Sequence, residues 1–219
     1  MGWGWVYLRV DMRELPDRTE QAIRAAFEAG AHDQAATLAI ELYGHEIFSF
    51  IGSQLREPHA AGDAFSDFSE LFWRTLPRFE WRCSLRTWMY LLARRALSRE
   101  RRDARKRIQH ETELTKASLL PEAVERVRTQ TALHMRTAIK DRFQSLRAEL
   151  PEEDQIVLVL RVDRGLSWLE LAEVMLSSDA PSTQAQLATE AARLRKRFQL
   201  AKAQLRKRAE ETGLVQRES

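Results

Sequence analysis

The chain has 219 residues, 44% of them apolar, which is enough to bury a core and excludes a disordered chain. Eight glycines and six prolines are too few for an all-β fold built on tight turns, and the single cysteine, Cys83, excludes a disulfide framework or a paired-cysteine zinc site. The net charge is only +3, but it is unevenly laid out: residues 12–76 carry 11 acids against 5 bases, whereas residues 193–208 carry 8 bases and no acid.

The opening "MGWGWVYLRVD" is apolar but is cut short by Asp11 and Arg13. It lacks a basic start and a small-residue cleavage site, so no signal peptide is expected, and Met12 offers an alternative start. No apolar run is long enough to predict a membrane span, and a cytoplasmic protein is expected. Asp17 with Glu20 predicts a helix start, and Gly30 a stop. From Asp33, residues Leu38, Leu42, Ile47, Ile51 and Leu55 recur at helical spacing up to Pro58. A third helix is expected over 63–76, with Phe65, Phe68, Phe72 and Leu76 on one face and Asp63, Asp67 and Glu70 elsewhere. A fourth should run from about Leu85 to Arg107, with Leu85, Trp88, Leu92 and Ala96 inward.

Residues 108–121 lose this periodicity and read as a linker. Helices are then expected at about 122–149, from Pro151 to Asp163, from Ser167 to Met175, and at about 184–211. Pro151 suits the first helical position, and Glu152, Glu153 and Asp154 suit the positive end of the helix dipole. Ser167 and Glu170 have the spacing of a capping box. The expected fold is all-α: two small helical domains, 17–107 and 122–211, joined by the linker 108–121.

The residues give little support to catalysis. His32, His45, His59, His110 and His134 show no metal-ligand spacing with one another or with Cys83, and no phosphate loop or nucleophile elbow occurs. No enzyme activity, metal or cofactor is expected. Cys83 lies beside Arg82, but a plain structural thiol is the better reading.

Nucleic-acid signals are stronger. The short helix of "GLSWLELAEVM" precedes a very basic one, as a helix-turn-helix requires. In "RLRKRFQLAKAQLRKR" (193–208), Leu194, Phe198, Ala201 and Leu205 form an apolar stripe, and Arg195, Lys196, Arg197, Gln199 and Lys202 point away from it. Such side chains can read base edges or hold phosphates. In "FEWRCSLRTWMYLLARRALSRERR" (79–102), aromatics precede arginines. Single strands are gripped by that pairing of stacking platforms and cations, although the same aromatics would also suit a core.

The stretch "DAFSDFSELFWRTLPRFEWRCSLRTWMYLLARRALSRERR" resembles the second conserved region of the sigma-70 family, in its small extracytoplasmic-function branch. "LPEEDQIVLVLRVDRGLSWLELAEV", followed by "RLRKRFQLAKAQLRK", resembles the fourth region. The resemblance covers about residues 20–107 and 130–210, in the right order. It implies an alternative sigma factor that directs core RNA polymerase to promoters and helps to open the −10 region.

The partners implied are the polymerase β′ clamp helices, the β flap and promoter DNA, with an anti-sigma factor possible. The core-binding residues implied are Asp63, Asp67, Glu70, Phe72 and Arg74. Those for the −10 element are Phe79, Trp81, Arg82, Arg86, Thr87, Trp88, Tyr90, Arg94, Arg95, Arg99 and Arg102. Those for the −35 element are Arg193, Arg195, Lys196, Arg197, Gln199 and Lys202. The chain departs from the family pattern at Ser66, where an acid is usual, and at Arg95, often Asn in this branch. It departs again in the long connection "LSSDAPSTQAQLATEAA", so the basic helix is expected to start early, near Gln184, with a turn at 177–182. Two other readings stand beside this one: a stand-alone helix-turn-helix regulator and a helical protein-interaction module.

Overall fold

The computed structural model describes residues 14–55, 57–107, 126–127, 145–176 and 182–212, with side chains from residue 19 onward and not at 58 or 103–107. The described residues are all-α. In chain order they form α1 (Glu14–Glu28), α2 (His32–Gln54), α3 (Pro58–Thr75), a 3₁₀ turn (Leu76–Arg78) and α4 (Leu85–Arg107). After these come α5 (Glu152–Leu158), which runs into a π-helical turn at Val159–Asp163, then α6 (Trp168–Leu176) and α7 (Gln184–Glu211). The expected linker 108–121 lies outside the described residues. Of the expected helix 122–149, Arg126–Val127 and 145–149 are described; 126–127 and 145–148 are helical, and Glu149 is in a turn.

Local chemistry explains the boundaries. The α1 helix ends in a Schellman motif: Ala31 N–H donates to Ala26 O (2.9 Å), Gly30 N–H to Phe27 O (3.0 Å), and Gly30 takes φ +75°, which a side chain would resist. Two starts lie earlier than the sequence predicts. The first is Glu14 rather than Asp17, with Pro16 in a first turn that has no amide acceptors to lose. The second is Pro58, which opens α3 as its first residue after extended Glu57, well before residue 63. Pro151 is instead the extended residue ahead of α5, its carbonyl accepting from the amides of Asp154 and Gln155 (2.9 and 3.1 Å). The expected capping box is present: Ser167 N–H donates to Glu170 Oε2 (2.7 Å) and Glu170 N–H to Ser167 Oγ (3.2 Å). A second box at Thr183 and Gln186 starts α7 at Gln184, as expected.

The apolar stripe of α3 lies inward, with Phe65, Phe68, Phe72 and Leu76 all buried. It forms part of an aromatic chain. Phe48 meets Phe65 edge-on (5.1 Å between centroids), Phe65 stacks on Phe68 (5.6 Å), Phe68 on Phe72 (6.0 Å), and Phe72 meets Trp88 (5.5 Å). Helix α2 is central and buried over most of its circumference. Ala35, Ala36, Ala39, Ile40, Ile47, Phe50 and Ile51 are fully enclosed, while Leu38, Leu42 and Leu55 pack at its flank. One connected cluster of buried residues runs from Ile23 through α2, α3 and α4 to Val157, Leu171, Val174 and Leu194. The segments before and after residue 108 thus share one continuous apolar contact.

Candidate nucleic-acid interface

The residues expected to meet polymerase form two classes on α3. Asp63, Asp67, Glu70 and Arg74 follow helical spacing on the side away from the phenylalanines, and Glu70 pairs with Arg74 at 4.0 Å. Phe72 is fully buried and serves the core rather than this surface.

The loop 79–84 and the start of α4 sort the aromatics. Phe79 is buried and stacks on Trp88 (4.5 Å, 22° between planes), so Trp88 sits between Phe79 and Phe72. Trp81 lies on the other side of Phe79 (5.0 Å) and meets Phe27 of α1 edge-on (5.5 Å). Its φ of +56° is left-handed, a conformation costing a non-glycine residue roughly 1–2 kcal/mol and kept only where surroundings impose it. Trp81 lines a groove of about 380 Å³ with Glu20, Arg24, Arg82, Cys83, Ser84 and Leu85. The Arg24 guanidinium lies over the indole, 5.2 Å from its centroid. A base stacked there would take the place of that guanidinium. Glu20 and Arg24 come from α1, 57 or more positions away in sequence, so no local pattern pointed to them.

The other −10 candidates on α4 divide by burial. Thr87 and Tyr90 are buried, Tyr90 edge-on to Phe50 (5.4 Å) with its hydroxyl pushed up by burial. Arg82, Arg99 and Arg102 are exposed, Arg82 pairing with Glu80 at 2.5 Å, and Arg95 is half-buried. Arg86 forks onto Glu46 (2.7 and 3.0 Å) and also donates to Arg164 O (2.9 Å). Burial pulls its pKa down, but the Glu46 hydrogen bond and charge more than offset this and raise it. Arg94 donates to Val174 O (3.2 Å) and Met175 O (3.0 Å), and its pKa is lowered by burial. Thr87 Oγ1 donates to Glu170 Oε1 at 3.3 Å. Burial would raise the Glu170 pKa, but the Ser167 amide and hydroxyl and the Thr87 hydroxyl bring it below the usual range.

The α7 stripe is as expected: Leu194 and Ala201 are buried, and Phe198 and Leu205 pack against the core clusters. Of the −35 candidates, Arg195, Lys196, Gln199 and Lys202 are exposed. Arg195 lies over the Trp168 ring (5.7 Å), whose other cationic neighbour is Arg161 (4.9 Å). Arg197 does not point to solvent as expected. It is half-buried and ion-paired with Glu153 (2.9 Å) and Asp154 (2.6 Å) at the start of α5, because the first turn of that helix concentrates carboxylates beside α7. Arg193 pairs with Glu190 (2.7 Å) and with Glu153, which raise its pKa.

Among the described residues, no group of three or more His, Cys, Asp or Glu is placed to hold a metal ion, and no helix is long and apolar enough to cross a membrane. The chain thus presents two cationic surfaces, a loop-and-helix one with an aromatic groove and a single-helix one on α7. No protein-family model matches the chain, and no curated protein matches it significantly.

Proposed function

We propose that the chain is a sigma-70-like subunit, of the extracytoplasmic-function type, that gives bacterial core RNA polymerase its promoter choice in the cytoplasm. The observation that supports this reading best is the division of labour between its two cationic surfaces. Four polar or basic residues of α7, Arg195, Lys196, Gln199 and Lys202, stand exposed on a helix anchored by its apolar stripe. That geometry suits the major groove of a duplex, where Arg and Gln reach base edges and Lys holds phosphates. The Trp81 groove, with Arg24 and Arg82 beside it, suits an unstacked base, because an indole face is a platform for any base and cations track the backbone. Duplex recognition and single-strand capture in one chain are what promoter binding followed by opening demands. The Asp63, Asp67 and Glu70 side of α3 would face the polymerase.

The test is promoter-dependent transcription by core polymerase with and without the purified chain. Transcript formation that requires the chain is expected. Duplex binding without core, and no transcript with it, would overturn the sigma reading in favour of a stand-alone regulator. Failure to bind any nucleic acid would leave a protein-interaction module.

A further inference from the structure

We infer that α7 recognises thymine: Leu200, on the outermost ridge of the helix, is placed to pack against the 5-methyl group of a thymine in the major groove, and Ala203 extends that apolar contact to a neighbouring base. This inference rests on the duplex role proposed for α7 and names the base that the helix selects.

Helix geometry puts the leucine there. The buried stripe of Leu194, Phe198, Ala201 and Leu205 fixes which way α7 faces. Opposite it, Lys196, Leu200, Ala203 and Lys207 follow one another at spacings of four, three and four residues, so they form one ridge, and all of them are exposed. The ridge is cationic at both ends and apolar in the middle. Leu200 itself is 59% exposed, although its neighbours on the outward side of the helix are lysines, arginines and amides. Gln199 and Lys202 stand exposed on one flank. On the other, Arg193 and Arg197 are held by Glu153, and Arg195 is drawn aside over the Trp168 ring (5.7 Å).

This layout matches the chemistry of a major groove. Phosphates border the groove and base edges form its floor, so a helix entering along this ridge brings lysines to the backbone while Leu200 and Ala203 reach the bases. Thymine alone presents a methyl group on that floor. The amide of Gln199, beside Leu200, is the group that pairs with N6 and N7 of adenine, so both residues favour A·T pairs. An acidic protein surface fits less well, because it would satisfy the lysines and set the leucine against carboxylates.

Thymine and deoxyuridine differ only in that methyl group, which makes the contact testable. Duplexes with a randomised upstream stretch are selected for binding by the full chain together with core polymerase. Each thymine of the selected sequence is then replaced in turn by deoxyuridine, and competition binding is measured for the unmodified chain and for Leu200→Ala. We expect replacement at one thymine, or at two adjacent ones, to weaken the unmodified complex about fourfold, the effect of one buried methyl group. In the Leu200→Ala complex the same replacement should change binding by less than about 1.5-fold, the comparison of ratios removing any effect of the methyl on the duplex itself. Lys196→Ala should weaken binding to both forms of the DNA equally and keep the ratio.

Indifference of the unmodified complex to every thymine methyl, or an undiminished ratio in Leu200→Ala, would overturn the inference and leave the promoter function standing. A Leu200→Ala chain that melts normally but no longer joins core polymerase would assign the leucine to a protein contact and overturn it as well. If no duplex is bound with or without core, the promoter function itself is wrong and thymine recognition falls with it.

Discussion

Trp81 and Trp88 lie seven residues apart in one aromatic loop-and-helix segment, and their substitution by alanine should separate stability from base capture. Trp88 is held between Phe79 at 4.5 Å and Phe72 at 5.5 Å. Trp→Ala in a core costs about 3–5 kcal/mol, and the half-exposed edge of this ring puts Trp88→Ala at the low end, about 3 kcal/mol. For a chain of this size that is a fall in Tm of roughly 6–12 °C. The variant should remain folded at 25 °C, since domains typically hold about 5–15 kcal/mol.

Trp81 also touches two rings, but it lines the groove and sits at φ +56°, and the Arg24 guanidinium lies over its ring. Its truncation should cost about 1–2 kcal/mol of stability. The loss of a stacked base, by contrast, removes about 1–3 kcal/mol of single-strand binding, or roughly 5- to 150-fold in affinity. Fluorescence anisotropy with a single-stranded probe at 25 °C, beside thermal melts by circular dichroism, measures both. Trp81→Ala should lose affinity with a modest change in Tm, and Trp88→Ala should do the reverse. A folded Trp88→Ala that loses affinity as strongly as Trp81→Ala, or a Trp81→Ala that binds as the unmodified chain does, would refute the assignment of Trp81 to the base.

The two classes of α7 cation should part in the same way: Lys196→Ala, at an exposed position, should leave Tm within about 1–2 °C but weaken duplex binding and reduce its salt slope by about one. Arg197→Ala should instead destabilise by about 1–2 kcal/mol, because it strips the partner from the buried Asp154 carboxylate, seen as a lower denaturant midpoint. Gly30→Ala meets no atom within 4 Å, yet at φ +75° it should cost about 1 kcal/mol, measured as a fall in Tm of roughly 2–4 °C. Cys83, whose thiol burial pushes up to about 11 with help from the Glu173 and Glu170 charges, should react with a disulfide reagent at pH 8 about a hundredfold more slowly than an ordinary thiol, and recover in denaturant. Ordinary reactivity in the folded chain would contradict the packing of that loop.

What local pattern encodes, the sequence disclosed. The Phe65–Phe68–Phe72 stripe, the Ser167–Glu170 box and the early start of α7 each depend on residues three or four apart, where sidedness and capping are set within one turn. Helix α2 was harder, because the stripe from Leu38 to Leu55 marks only part of a helix buried on most sides, and its alanines gave no signal that they are among the most enclosed residues of the core. The π-helical turn at Val159–Asp163 left no mark in a run that reads as plain helix, and neither did the passage of Pro16 and Pro58 into first turns. In the candidate interface, Trp88 was expected on the inward face of its helix and yet, like Trp81, also as a contact for an unpaired base. The long-range neighbours Phe27, Arg24 and Phe72 separate the two roles.

The arginines of α4 show why charge alone leaves a function open. A guanidinium offers the same planar fork to a carboxylate, a pair of helix-end carbonyls or a phosphate, so "ARRALSRERR" has one appearance for all three acceptors. Arg86 forks onto the Glu46 carboxylate and also serves the Arg164 carbonyl, Arg94 serves the carbonyls of Val174 and Met175, and Arg99 and Arg102 are exposed. Charge-assisted forks are the stronger contacts, so the Glu46 carboxylate fixes Arg86 more firmly than the Arg164 carbonyl does.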